Sequence, residues 1–398
     1  MSDAIALENR YGARCYKPLP VVLTHGEGVY VWDEDGKSYL DMMGAYSAAS
    51  FGHCHPTLVN TLTQQANRLG VVSRAYHSEN LGAFLQKLCI MTGQDLAVPM
   101  NTGAEAVETA LKAARKWAYV VKGVAANEAE IIVCDGNFHG RTISIVGFSS
   151  EPSYQQDFGP FAGGFKRIPF GDVAAFAAAI TPRTAALLLE PIQGEGGIVM
   201  PPEGYLAACQ QLCRQHNVLL ITDEVQTGLG RTGKLLAAEH DEVLPDGVIL
   251  GKALGGGLLP VSAFAARRDV LDIWQPGCHG STFGGYPLAA AVGLTALTLL
   301  EETDLIANSA QLGAYLLTQL QTLDYPIIQD VRGRGLFIGV EINPAIASAR
   351  DVCLRLMAAG ILSKETHETV VRLAPPLCIK PDEIDDALRI IKTVLAEF

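Results

Sequence analysis

The 398-residue sequence is short of charge: Asp, Glu, Lys and Arg together make 18%, against 49% hydrophobic residues. That balance excludes a disordered chain, which lacks the apolar surface needed to offset the entropy of ordering. The charge that is present leans acidic, 42 Asp and Glu against 30 Lys and Arg. No basic stripe interrupts it, so nucleic acid is not an expected partner. An uncharged apolar run of about 18 residues is also lacking, so no membrane span is expected. Met1-Ser2-Asp3-Ala4 lacks the basic-then-apolar order of a signal peptide. Nine cysteines occur, but singly, and CxxC is absent. The nearest pair, Cys209 and Cys213, sits on a helix-like stretch. Such spacing argues against a disulfide framework or a metal site and for reduced thiols in the cytoplasm.

What is present is an alternation. "LAVPMN" (96–101), "EIIVCD" (130–135), "AALLLEP" (185–191), "VLLITDE" (218–224) and "GVILGKA" (247–253) are continuous apolar runs separated by helical patterns. Runs without a polar face belong to strands covered on both sides. The expected fold class is therefore α/β, with a mostly parallel central sheet in a large domain. Such sheets bind ligands beyond the C-terminal ends of their strands.

"GVYVWDEDGKSYLDM" (28–42) predicts a hairpin turning at Asp35-Gly36. "PLAAAVGLTALTLLEE" (287–302) predicts a long helix, and "IIQDVRGRGLFIGVEI" (327–342) another hairpin. "VVRLAPPL" (370–377) predicts a strand, and a closing amphipathic helix starts at Pro381-Asp382. This gives a segment 1–40 packing with a smaller α+β domain at 291–398, and a large domain over 41–290.

Several of these runs end in chemistry. In "GVILGKALGGG" (247–257) the strand meets a lone cation, Lys252, and then a glycine cluster. A phosphate loop needs GxxxxGK[ST], but Ala253 follows the lysine and the glycines come after it. A desolvated lysine instead has a lowered pKa and acts as a carbonyl nucleophile. The glycines at 255–257 then let the chain turn closely past a ligand. Asp223 and Glu224 end the preceding run and need N–H or cationic partners if buried; otherwise they are capping or ion-pair acids. Thr102-Gly103-Ala104 opens a helix. This turn is either a plain N-cap or a phosphate cradle of free N–H groups. A lysine, an acid and a phosphate cradle on neighbouring strand ends are what pyridoxal phosphate requires. His53 and His55 in "GHCHP" are expected to form a turn into a helix rather than a metal site.

In order along the chain, "GHCHPTLVNTL", "MNTGAEAVETALKAARKW", "GNFHGRT", "EPIQGEGG", "DEVQTGLGRTGK", "GKALGGGLLPVSA" and "HGSTFGGYPLAAAV" resemble the class III aminotransferases, and within them the ornithine aminotransferase subfamily. The resemblance covers nearly the whole chain. It implies a fold-type-I pyridoxal-phosphate transferase acting as a homodimer on small amino acids and 2-oxo acids. Lys252 resembles the lysine that binds the cofactor aldehyde and shuttles the proton, and Asp223 the partner of the ring nitrogen. Gln226 resembles the donor to the phenolic oxygen and Phe138 the ring stacked on the pyridine. Thr102, Gly103 and Ala104 resemble the phosphate cradle, completed by Ser281 and Thr282 from the other subunit.

On the substrate side, Arg141 resembles a carboxylate fork, and Tyr16 and Tyr46 the tyrosines lining the ornithine pocket. Glu195 and Arg372 resemble a switchable pair, closed for ornithine and open for glutamate or 2-oxoglutarate. His139 departs from the family, where tryptophan is commoner, and reads as a pocket-wall or surface residue. The implied reaction moves the δ-amino group of L-ornithine to a 2-oxo acid, giving glutamate-5-semialdehyde, which cyclises to pyrroline-5-carboxylate. Rival readings are another ω-aminotransferase of the class, acting on acetylornithine, 4-aminobutyrate, putrescine or lysine, and a non-catalytic ligand-binding protein on the same fold.

Overall fold

A computed structural model describes residues 3–398. Seven strands form the central sheet, in the spatial order Leu96–Met100, Ser262–Ala266, Gly247–Leu250, Leu219–Asp223, Thr184–Leu189, Glu130–Cys134 and Phe165–Ile168. The last five are mutually parallel. Ser262–Ala266 runs antiparallel to both of its neighbours, which makes the sheet mixed.

The apolar runs are continuous because both faces are covered. Ile131, Val133, Leu188 and Ile221 meet the helix Gly103–Trp117 through Ala106, Ala110, Ala113 and Trp117. Their sequence neighbours Ile132, Leu187 and Leu220 point the other way, onto Leu206, Cys209 and Cys213 of the helix Tyr205–Gln215. This is the two-residue alternation of a strand with apolar residues in both phases. Each fully buried Leu or Ile contributes about 1.5–3 kcal/mol. Two strands lie outside the sequence expectation. Ser262–Ala266 is alanine-rich, and Phe165–Ile168 carries Lys166 and Arg167, so neither has the β-branched apolar signature.

The C-terminal part builds its own four-stranded antiparallel sheet from Ile328–Gly333, Ile338–Ile342, Lys364–Thr366 and Val370–Leu373. Helices Leu305–Gln321, Ala349–Ala358 and Pro381–Leu395 cover it. At the other end of the chain, Leu23–Glu27, Tyr30–Asp33 and Ser38–Asp41 form a meander. Its last strand pairs in parallel with Ile361–Leu362. Chain start and chain end therefore share one sheet, and the segment that follows, 44–52, emerges beside Leu373–Leu377: Ala374 N–H donates to Met42 O and Leu377 N–H to Ser50 O.

Candidate active site

The site lies at the C-terminal ends of the parallel strands, where the sheet's carboxylates and its lysine converge. Gly103, Ala104, Phe138, His139, Gly140, Glu190, Asp223, Val225, Gln226, Thr227 and Lys252 line one cavity of ≈ 180 Å³. Lys252 directly follows Gly247–Leu250 and Gly251, and adopts φ of +46°. A left-handed lysine is costly and persists only where the surroundings impose it. Burial lowers its pKa to about 8, with Arg372 assisting and Glu195 opposing. A useful fraction of its amine is thus neutral near pH 7, as a carbonyl nucleophile requires.

Asp223 ends Leu219–Asp223 and faces the cavity. Its Oδ1 accepts from Val225 N–H at 3.0 Å, and its Oδ2 lies 2.7 Å from Nδ1 of His139. The imidazole has no side-chain exposure. Burial alone would strip its proton, but the hydrogen bond to Asp223 and the charges of Asp223 and Glu190 together outweigh this and hold the His139 pKa above its usual value. Nδ1–H therefore donates to the carboxylate. His139 is a wall of the cavity and not a surface residue. Its place beside Asp223 follows from the fold, which brings "GNFHGRT" against a strand 84 residues on. Glu224 points to the opposite face of the strand. There it accepts from Ala237 N–H, Ala238 N–H and the Thr227 hydroxyl, so its partners are structural.

Glu190 is the site residue that the sequence reading passed over, although it too ends an apolar run. Its Oε1 accepts from Phe138 N–H at 2.8 Å and its Oε2 from Gly194 N–H at 3.0 Å. It ties the segment bearing Phe138 to the loop bearing Glu195. Burial raises its pKa to about 7.

Arg372 comes from the C-terminal sheet and is buried. Its Nη1 makes an ion pair of 2.9 Å with Glu195 Oε1 and donates to Gln226 Oε1 at 3.1 Å. Gln226 Nε2 donates in turn to Glu195 Oε1 at 3.2 Å, closing a triangle. Burial opposes ionisation of Glu195, but the charge and hydrogen bond of Arg372, with Lys252 and Gln226, together prevail and lower its pKa. Tyr46 completes this side, its ring 5.1 Å from the Arg372 guanidinium carbon and 5.9 Å from Lys252 Nζ. Ala45, Tyr46 and Ser47 all have positive φ, 48°, 58° and 74°. Asp41 Oδ1 holds this strained turn by accepting from Met43 and Gly44 N–H.

At the phosphate end, Thr102 caps the helix Gly103–Trp117 by a reciprocal exchange with Glu105. Its hydroxyl is engaged in that cap. The N–H groups of Gly103 and Ala104, which open the helix, have no intrahelical acceptors. Gly140 passes so close that a Cβ there would lie 2.9 Å from the Ala104 Cβ. Free helix N–H groups, the Phe138 ring, an acid held by an imidazole and a lysine of lowered pKa suit a phosphorylated pyridine aldehyde such as pyridoxal phosphate.

Other expected residues lie apart. Ser281 and Thr282 do not line this cavity; Ser281 Oγ accepts from Asn101 Nδ2 at 3.0 Å and from Gly284 N–H at 3.1 Å. Tyr16 is 87% exposed. Arg141 is at the rim, over the Phe138 ring at 5.6 Å and the Tyr154 ring at 4.2 Å. The glycines at 255–257 do not border the cavity as expected. A Cβ at Gly256 (φ +64°) would meet Leu58 at 2.9 Å, and one at Gly257 would meet the backbone of Ala48 and Ala49 at 3.5 Å. They serve helix packing behind the lysine.

The sequence profile of the family "Aminotransferase class-III" matches residues 11–395. The chain is 56% identical over 390 residues to ornithine aminotransferase 2 of Staphylococcus aureus, covering 98% of each chain. Its fold matches that of the ornithine aminotransferase from Toxoplasma gondii with a TM-score of 0.98 and 45% identity, covering 99% of this chain and 94% of that one. That protein carries pyridoxal phosphate at partial occupancy in its active site. An acetylornithine aminotransferase from Elizabethkingia anophelis matches at a TM-score of 0.90 and 44% identity, covering 99% of this chain and 98% of that one. The chain belongs to the class-III aminotransferase family.

Proposed function

We propose that this chain is an ornithine aminotransferase, dependent on pyridoxal phosphate, that moves the δ-amino group of L-ornithine to 2-oxoglutarate or another 2-oxo acid. The products are glutamate-5-semialdehyde, which closes to pyrroline-5-carboxylate, and glutamate, so that ornithine and arginine feed proline. When bound, the cofactor supplies an electron sink for the carbon that loses its proton.

The residues divide that work. Gly103 and Ala104 N–H, with Thr102, would hold the phosphate, and Ser281 and Thr282 of a second copy would complete its shell. Asp223, whose Oδ2 lies 2.7 Å from His139 Nδ1, would pair with the ring nitrogen. Phe138 would stack on the ring, and Gln226 would turn its amide to the phenolic oxygen. Lys252 Nζ would hold the cofactor aldehyde, and its amine, once the substrate amine has taken that place, is the base positioned to take and return the proton of the amine-bearing carbon. Two half-reactions share the site. The nine free thiols support a reducing compartment, the cytoplasm.

The observation that carries ornithine as substrate is the closed Glu195–Arg372–Gln226 triangle under the Tyr46 ring. With Arg372 neutralised, an α-carboxylate is not drawn to it, and the distal amine of a diamino acid is the end that reaches Lys252. A 2-oxo acid displaces Glu195 and takes Arg372 for its own α-carboxylate, and Arg141 receives the second carboxylate of a dicarboxylic acid. Tyr46 and Tyr16 border the α-amino end of ornithine.

Half-reaction spectroscopy with ornithine and N-acetylornithine tests this. Ornithine is expected to react faster, with pyrroline-5-carboxylate as product. A far faster reaction with the acetylated form would sink the reading in favour of an acetylornithine enzyme. A Tyr46→Ile variant is expected to gain activity on 4-aminobutyrate.

A further inference from the structure

Arg141 at the rim and Arg372 beside Glu195 are the arginines the proposed function assigns to substrate carboxylates, and they are held in different ways. Arg372 is buried and paired with a carboxylate. Arg141 is exposed, and among the described residues no carboxylate pairs with it. An exposed arginine carries about 2 kcal/mol of rotamer entropy. A receptor fork free to wander in solvent would forfeit much of its grip through that entropy.

One side chain restrains it. The Arg141 guanidinium carbon lies 4.2 Å from the centre of the Tyr154 ring, closer than the 5.6 Å to Phe138. Tyr154 meets Phe138 edge to face at 5.9 Å, so it touches the cavity wall and the rim cation together. Its hydroxyl lies within the fields of Arg141 and Glu195. Stacking uses the face of the guanidinium and leaves its N–H edge for a carboxylate.

Tyr154 is itself well anchored. It sits on the single helical turn Pro152–Gln155, started by Glu151, whose carboxylate accepts from Ser153 N–H. The next residue, Gln155, donates from its Nε2 to the carbonyls of Val146, Gly147 and Ser149. An exposed loop with three side-chain bonds to a neighbouring turn is a fixed platform and not a wandering one.

We propose that Tyr154 is a positioning residue for the second half-reaction: it presents Arg141 to the distal carboxylate of a dicarboxylic 2-oxo acid and so sets the preference for such acids over monocarboxylic ones. This rests on the reading of Arg141 as a carboxylate receptor given above.

The test compares Tyr154→Leu and Tyr154→Phe in the holoenzyme, following each half-reaction by its absorbance change. For Tyr154→Leu, kcat/KM for 2-oxoglutarate is expected to fall about tenfold relative to pyruvate, mostly through KM, as loss of one cation–π contact implies. The ornithine half-reaction is expected to change several-fold less. Tyr154→Phe keeps the ring and is expected to recover most of the loss, which also covers the case in which the leucine variant folds poorly. Equal losses for both oxo acids, or for both half-reactions, would reduce Tyr154 to a general wall residue and overturn the proposal, as would no change. A wild-type enzyme inert to ornithine but showing the tyrosine-dependent oxo-acid preference would instead strike at the substrate assignment alone.

Discussion

The floor and the rim of the site are built on opposite terms. The floor stands on strand ends: Asp223, Glu190 and Lys252 each close a strand of the central sheet or lie just beyond it, and His139 packs beneath them without solvent. The Asp223–His139 contact of 2.7 Å and the Glu190–Gly194 bond of 3.0 Å there are buried. At the rim, Arg141 and Tyr154 stand on short segments at the surface, and Glu195 on the loop between Glu190 and Val199. Glu195 keeps 24% of its side chain in solvent, whereas its partner Arg372 keeps 1%. The difference teaches where each task can be placed. Proton transfer needs atoms held to a fraction of an ångström in low dielectric, which a sheet supplies. Accepting two different substrates needs a group that can leave its partner, which only a partly solvated loop residue can do at small cost.

The largest effect expected on the floor is that of Lys252→Ala. Turnover with ornithine and 2-oxoglutarate should fall about 10⁴-fold, since both the anchoring amine and the proton shuttle are lost. Residual turnover near the parent value, measured by pyrroline-5-carboxylate formation, would break the assignment. Asp223→Asn keeps the shape and removes the charge, and is expected to lower kcat on the order of 100-fold. A rim-like result, a change in KM alone, would place Asp223 with substrate binding instead.

On the rim, Glu195→Ala should act on choice more than on rate. With Arg372 freed, the glutamate half-reaction is expected to quicken and the ornithine half-reaction to slow, each about tenfold, as removal of one buried ion-pair partner implies. Equal changes in the two half-reactions would show that the pair is structural.

The smallest effect concerns stability. Burial raises Glu190 from its ordinary 4.5 to about 7, so the folded state binds a proton there that the unfolded chain releases earlier. That contribution is complete below pH 4.5 and is lost as pH rises through 7. Replacing Glu190 by Gln should flatten this part of the stability profile, read from urea titrations across that range. An unchanged slope would mean that Glu190 stays ionised in the folded protein.

The glycines after Lys252 illustrate how far a local motif carries. They were expected to clear space for a ligand. Gly256 and Gly257 instead make left-handed turns against Leu58 and the Ala48–Ala49 backbone, and the cavity that holds the lysine is lined by Gly103, Phe138 and Gly140 among others. The motif marks a close approach, but the partner in that approach is a tertiary matter.

The sequence by itself determined the parallel sheet, because strands covered on both faces must be apolar in both phases. It also determined that Asp223 and Lys252 end strands, since a polar residue closing such a run is a local signal. Thr102 as a cap was legible for the same reason. Only the tertiary structure decided which groups meet. His139 finds Asp223 across 84 residues, and Arg372 finds Gln226 across 146. Arg141 and Tyr154 are nearer in the chain, yet their stacking depends on a one-turn helix whose anchors are side-chain bonds. Glu190 reads as a strand end, but its role depends on two N–H groups brought from different loops. Periodicity reports burial along one element. Hydrogen bonds and ion pairs between elements depend on where the folded chain places them, and local spacing carries no record of that distance.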